Sequence, residues 1–160
     1  MPYEIERKFL VTDEKILDKL EGTLYRQAYM STAGRAVVRI RVVRDNAYIT
    51  IKGDTDGIKR LEYEYAIPKH HATEMINELC DGGVLEKIRY SVMHKGHKWV
   101  IDKFIKENLG LVVAEIELDK EDEIFELPDW VGEEVTEDVR YYNVNLVKNP
   151  YVKWDIDNSL

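Results

Sequence analysis

Glu4-Ile5-Glu6-Arg7-Lys8-Phe9-Leu10 is the stretch whose reading decides the fold. In an extended strand successive side chains point to opposite faces, so Glu4, Glu6 and Lys8 share one face and Ile5, Arg7 and Phe9 the other. Two carboxylates and an ammonium then stand side by side, a pattern that a solvated surface strand also carries. Repetition separates the two cases. Like-charged pairs at i, i+2 recur as Arg39/Arg41, Glu62/Glu64, Lys87/Arg89 and Glu115/Glu117, each among residues that favour strands.

Working outward, residues 2–12 read as the first strand, and Thr12-Asp13 before Ile16, Leu17 and Leu20 reads as a capped short helix ending at Gly22. Leu24 to Ser31 and Ala36 to Arg44 form two strands joined through Thr32-Ala33-Gly34, and Asp45-Asn46 turns the chain into a strand from Ala47 to Lys52. Gly53 to Gly57 reads as a loop, Arg60 to Ile67 as a strand stopped by Pro68. Ala72, Met75, Ile76 and Leu79 lie at helical spacing before Gly82-Gly83. Leu85 to Met93, Lys98 to Phe104 and Leu109 to Leu118 complete a set of eight strands, with a turn at Lys95-Gly96. Pro128 opens an irregular acidic segment, and Val139 to Lys148 reads as a short C-terminal helix.

Opposite the charged pairs the strands are apolar, as with Val38, Ile40 and Val42 or Ala114, Ile116 and Leu118. A sandwich would bury those apolar faces and leave the charges in water. Tight like-charged pairs repel unless opposite charges lie across from them, which favours a closed antiparallel barrel with the charges inside. Eight strands enclose a lumen wide enough for side chains or one small ligand. That lumen would gather Glu4, Glu6, Glu62, Glu64, Asp102, Glu115 and Glu117 with Lys8, Arg39, Arg41, Lys52, Lys87 and Arg89. So many enclosed charges carry a large desolvation cost without a ligand, which points to a functional water-filled channel. The fold class is therefore mainly β, an α+β arrangement in which a few helices cover the barrel exterior. Outward Arg7, Glu86 and Lys103 argue against a membrane barrel.

The 160 residues are one domain's worth, residues 1–160. A single cysteine, Cys80, fits a reducing compartment, and neither an apolar leader nor a long apolar run stands in the sequence, so a cytoplasmic protein without membrane insertion is expected. A net charge of −8 argues against nucleic-acid binding, although a few sequestered cations still make a strong local anion site. His70-His71 and His94/His97 fall at a helix start and a hairpin turn, where histidine is usually solvated. The barrel exterior left uncovered by helices predicts a homodimer.

The ordered set Glu4-x-Glu6-x-Lys8, Arg39-x-Arg41, Lys52, Glu62-x-Glu64, Lys87-x-Arg89, Asp102 and Glu115-x-Glu117 resembles the CYTH superfamily, also called triphosphate tunnel metalloenzymes, across nearly the whole chain. Glu134-Val135-Thr136 with Asp138, Arg140-Tyr141 and Asn143 is similar to the family's C-terminal signature. Arg26-Gln27-Ala28-Tyr29 is similar to its second-strand motif, with Ala28 where Gly is usual. Both motifs read as structural. The resemblance implies an eight-stranded tunnel that binds a triphosphate and divalent cations. Activities in such a family include hydrolysis of inorganic triphosphate, thiamine triphosphate or RNA 5′-triphosphate ends, and adenylate cyclisation.

A bound tripolyphosphate needs cations along its length, and Lys8, Arg39, Arg41, Lys52, Lys87 and Arg89 supply them as bidentate forks and point charges. Carboxylate oxygens suit Mg²⁺ or Mn²⁺, and Glu4, Glu6, Asp102, Glu115 and Glu117 form the expected metal set. The expected catalytic group is Lys8, Glu62, Glu64 and Lys87, with the attacking water held on a second metal or oriented by Glu62 or Glu64. Hydrolysis of inorganic tripolyphosphate to pyrophosphate and phosphate is the leading expectation, with nucleoside or thiamine triphosphates as other small-molecule substrates. The alternatives are a class IV-type adenylate cyclase, for which no adenine pocket is assignable, a non-catalytic triphosphate or polyphosphate-binding module, and a purely structural barrel.

Overall fold

A computed structural model describes residues 2–154, so residue 1 and residues 155–160 of the expected domain lie outside it. The charged N-terminal stretch forms β1 (Tyr3–Val11), followed by a 3₁₀ turn at Glu14–Lys19 whose N-cap Asp13 accepts a hydrogen bond from the Lys15 amide. Then come β2 (Thr23–Met30), β3 (Val37–Val43), β4 (Asn46–Asp56), β5 (Lys59–Ile67), α1 (Lys69–Leu79), β6 (Cys80–His94), β7 (His97–Phe104), β8 (Val112–Glu117), β9 (Val131–Glu134) and α2 (Asn143–Lys148). Lys95 and Gly96 both have positive φ, 48° and 84°, as the two-residue turn joining twisted strands β6 and β7 requires.

All strand pairings are antiparallel, in the order β5-β4-β3-β2-β6-β7-β8-β1, and pairing of β1 with β5 closes the ring of eight. The eight-stranded barrel is thus the observed fold. β1 does double duty on one edge: Tyr3, Glu4 and Ile5 pair with β5, whereas Phe9 and Val11 pair with β9. That short ninth strand lies in the segment expected to be irregular, because four residues leave too little alternation to read.

Three apolar clusters position the barrel walls. Phe9, Trp99, Ile101, Ala114 and Ile116 on the outer face are covered by Leu17 of the 3₁₀ turn and by Phe125 and Trp130. Ile40, Val42 and Ala47, also outside, are covered by Ala72, Met75 and Ile76 of α1. The third cluster joins Leu85, Phe104 and Val113 to Tyr141, Leu146 and Trp154, with Leu10 packed against it. Leu10, Leu85, Phe104 and Val113 each stand two residues from a charged lumen position, on the same strand face. They therefore point inward, and the C-terminal segment forms an apolar floor at one end of the tunnel.

Other boundaries differ from the sequence expectation. α1 ends at Leu79, and Gly82 and Gly83 lie inside β6 at φ of 82° and 89°, where the register between β2 and β6 shifts. A Cβ at Gly82 would come within 2.7 Å of Val147 Cγ1, so this glycine also lets α2 approach the wall. β4 continues through Gly53 to Asp56, the eighth strand begins at Val112, and the expected C-terminal helix is a 3₁₀ turn at Val139–Tyr141 followed by α2.

Candidate active site

Alternation in β1, β3, β4, β5, β6 and β8 delivers the charged pairs into one cavity of about 530 Å³. Glu4, Glu6, Lys8, Arg39, Arg41, Lys52, Glu62, Glu64, Lys87, Arg89, Glu115 and Glu117 all line it. Of the expected site residues only Asp102 does not. Its carboxylate is almost fully buried and enclosed by Lys87 Nζ at 2.8 Å and Arg89 Nε and Nη2 at 2.8 and 2.9 Å. Burial alone would raise its pKa, but Arg89 and Lys87 hold it far below the usual carboxylate range.

The mouth half is different. Lys52 Nζ lies 3.1 Å from Glu4 and 3.2 Å from Glu62, bridging β1 and β5 where the barrel closes. Lys8 Nζ is 3.5 Å from Glu115 on the neighbouring strand. Among the described residues no cation is ion-paired with Glu6 or Glu117, which face each other across β1 and β8. Burial, then repulsion from Glu115 and Glu4, pushes the Glu6 carboxyl up to about 8. Burial raises Glu4 and Glu117 as well, with neighbouring acids adding to the effect. Burial would raise Glu115, but Lys8, Arg89 and Lys87 together hold it below its ordinary value.

The rest of the basic wall is held by neutral as well as acidic partners. Arg39 Nη2 donates to Thr50 Oγ1 at 3.0 Å and to Glu64 Oε2 at 3.2 Å, while its buried Nε has no partner among the described residues. Arg41 donates through Nε and Nη2 to Gln27 Oε1 at 3.1 and 3.0 Å. The Tyr25 ring lies between two guanidinium groups, 5.0 Å from Arg41 and 4.7 Å from Arg89. Burial lowers Lys87 to about 7 despite Asp102, with Arg89 and Arg41 adding to the fall. Burial and the neighbouring Arg39 and Arg89 lower Arg41 to about 10. For Lys8 the balance is reversed: burial is outweighed by Glu115 and Glu6, and its pKa stands above the ordinary lysine value.

Arg60, Lys98 and Thr55 also line the cavity, beyond the set expected from sequence. They carry no paired-charge pattern: Arg60 stands two residues before Glu62, and Lys98 in a turn-proximal position next to apolar Trp99 and Val100. Thr50 is uncharged, and Gln27 and Asn143 stand in motifs that read as structural in the sequence; their link to the site shows only through their partners.

The described residues contain no ready-made group of three or more His, Cys, Asp or Glu side chains in metal-holding geometry. The donor chemistry nevertheless fits a hard cation. Glu4, Glu6, Glu115 and Glu117 all face the cavity, and three of them resist ionisation because burial, and then the surrounding acids, oppose their charge, a cost that a divalent cation relieves.

The CYTH domain family matches residues 2–151, and this chain belongs to that family. It is 50% identical over 151 residues to the inorganic triphosphatase of Acetivibrio thermocellus, covering 94% of this chain and 97% of that protein. The inorganic triphosphatase of Nitrosomonas europaea is 36% identical over 147 residues, covering 89% and 95% of the two chains. A crystal structure of an inorganic triphosphatase superposes with a TM-score of 0.64 at 33% identity, covering 92% of this chain and 95% of that one.

Proposed function

We propose that this chain is a divalent-metal-dependent hydrolase that cleaves inorganic tripolyphosphate to pyrophosphate and phosphate inside the tunnel. The observation that carries the reading is the convergence of Lys8, Arg39, Arg41, Lys52, Lys87 and Arg89 on one cavity, with Arg39 Nε buried and unused. A buried donor without a partner is costly, and a phosphate oxygen satisfies it. The two relatives named above, both inorganic triphosphatases, support the same substrate class.

In this reading the six cations bind the phosphate oxygens and fix the chain of phosphates along the tunnel. Glu4, Glu6, Glu115 and Glu117 would hold Mg²⁺ or Mn²⁺, which would supply charge neutralisation for the phosphate oxygens. Asp102, with both oxygens occupied, positions Lys87 and Arg89 in place of metal ligation. Water attacks the terminal phosphorus, the bond to the bridging oxygen breaks, pyrophosphate leaves against the cationic wall, and the water's proton leaves with the product phosphate or passes to solvent. Glu62 has its pKa lowered: burial is outweighed by its hydrogen bond with Glu4 and by Lys52. It therefore orients the water rather than retaining the proton, with Glu64, anchored by Thr50 at 2.7 Å, beside it.

A substrate panel tests the reading: tripolyphosphate, ATP, thiamine triphosphate and longer polyphosphate, each with Mg²⁺, Mn²⁺ or EDTA, with phosphate, pyrophosphate and cyclic AMP quantified. Tripolyphosphate should be preferred over ATP by at least about tenfold in kcat/KM, roughly 1.4 kcal/mol. Cyclic AMP as the main product would assign the site to cyclisation instead.

A further inference from the structure

Residues 141–143 stand where the apolar floor meets the charged wall, and they offer the cations acceptors without adding charge. The Tyr141 carbonyl oxygen accepts from Lys8 Nζ at 3.3 Å, and the Tyr142 ring lies 5.6 Å from the same ammonium. Asn143 Oδ1 accepts from Lys87 Nζ at 2.8 Å and from Gln27 Nε2 at 3.2 Å. Gln27, fully buried, then accepts both Arg41 bonds on its Oε1. One uncharged relay, Lys87–Asn143–Gln27–Arg41, therefore links two cradle cations from β6 and β3 through β2 and the C-terminal segment.

The chemistry of the two ends forces the direction of every bond between them. An ammonium and a guanidinium only donate, so the Asn143 atom facing Lys87 and the Gln27 atom facing Arg41 must both be oxygens. The Gln27 nitrogen is left to face Asn143 and Tyr29, whose hydroxyl it reaches at 2.8 Å. Flipping either amide would set donor against donor at a buried position. The relay thus has one low-energy arrangement, and the packing of Tyr141, Leu146 and Trp154 in the floor holds its far end in place.

Neutral amides suit this task for a specific reason. Asp102 already places a full negative charge on Lys87 and Arg89. A second carboxylate would hold Lys87 equally well but would cancel charge that a phosphate oxygen needs. We infer that Asn143, acting through Lys87 and through Gln27 on Arg41, is a positioning residue of the triphosphate site; this rests on the function proposed above. The C-terminal segment is accordingly part of the site's machinery as well as its floor.

The test uses the full chain and the variants Asn143→Ala, Gln27→Ala, the double variant and Asn143→Asp. Four measurements are made: kcat and KM for tripolyphosphate with Mg²⁺, calorimetric binding of tripolyphosphate in EDTA, melting temperature, and the NMR correlation of the Arg41 Nε–Hε group. Asn143→Ala should lower kcat/KM at least about tenfold, mainly through KM, and shift the Arg41 signal although the two side chains share no bond. Adding Gln27→Ala should cost less than about threefold more, because the relay is already broken. Asn143→Asp keeps an acceptor for both bonds, so the Arg41 signal should stay near its wild-type position while tripolyphosphate binding weakens at least about tenfold from the added charge.

Independent, multiplicative losses in the double variant, or an unmoved Arg41 signal with kcat/KM within twofold of wild type in Asn143→Ala, would overturn the inference. If Asn143→Ala fails to fold, Asn143→Asp decides: an Arg41 signal displaced from its wild-type position, or binding left unchanged, has the same consequence. A wild-type protein inert toward tripolyphosphate would instead sink the proposed function, and the Arg41 signal would still judge the relay.

Discussion

Two carboxylates of the tunnel wall, buried Asp102 and half-buried Glu6, have opposite surroundings. Asp102 is enclosed by Lys87 and Arg89 at 2.8 to 2.9 Å and is held strongly ionised. Glu6 faces Glu117 across the strand pair, has Glu4 and Glu115 nearby, and has its pKa pushed up to about 8. The floor-side carboxylate is thus fully paired within the chain, and Glu6 and Glu117 at the other end are not. A paired triad fixes cation positions. A crowded set of acids is tolerated where something cationic from outside completes it.

The largest expected effect tests the unfinished half. Glu6→Gln keeps the side-chain shape and removes one charge that in the proposed reading holds the divalent cation. It should lower kcat/KM for tripolyphosphate by at least about a thousandfold, roughly 4 kcal/mol, with the fold intact by circular dichroism. Activity within tenfold of wild type would remove Glu6 from the metal set and erase the functional side of the contrast.

Next in size is the finished half. Asp102→Asn leaves two buried cations facing an amide that no longer balances them, and breaking a buried ion pair from one side typically costs about 3–5 kcal/mol. Urea unfolding should show a loss of roughly that order, whereas Glu6→Gln should show none. Equal stability of Asp102→Asn and wild type would mean that the triad is not what braces this end of the tunnel.

Arg39 sharpens the contrast from the substrate side. Its Nη2 is satisfied by Thr50 and Glu64 while its Nε is not, so part of its hydrogen-bonding capacity belongs to a ligand. Arg39→Ala should weaken tripolyphosphate binding by about 1.5–3 kcal/mol, roughly 10- to 150-fold, as measured by calorimetry without metal. An unchanged affinity would place the anion elsewhere in the tunnel.

Much of this was legible in sequence because charge at period two is a signal that strands alone produce. Arg39/Arg41 and Glu115/Glu117 name both the face and the lumen. What stayed hidden is relational. Asp102 has no charged i+2 neighbour, and nothing in its local sequence shows that both oxygens are already occupied. Asn143 reaches Lys87 and Gln27 from 56 and 116 residues away, so its role exists only once the C-terminal segment folds under the barrel. Gly82-Gly83 misled because paired glycines signal a helix end as readily as a strand irregularity.

The smallest effect concerns stability against pH in the metal-free protein. Glu6 titrates near 4.5 when unfolded and near 8 when folded, so between those values the folded chain binds a proton that the unfolded chain has released. Stability from this group is therefore greatest below about 4.5, falls as pH rises toward about 8, and is flat beyond. Glu4 and Glu117 are shifted in the same direction, so replacing Glu6 flattens the dependence without abolishing it. Melting curves in EDTA from pH 5 to 9 should show Glu6→Gln losing at least about 3 °C less than wild type over that range. Added Mg²⁺ should raise the wild-type melting temperature at pH 9 more than that of the variant, since a cation that binds only the folded state stabilises it in proportion to its affinity. Parallel curves for the two proteins would show that the crowding at Glu6 is relieved within the chain itself, and the difference between the two ends of the tunnel would then be one of hydrogen bonding alone.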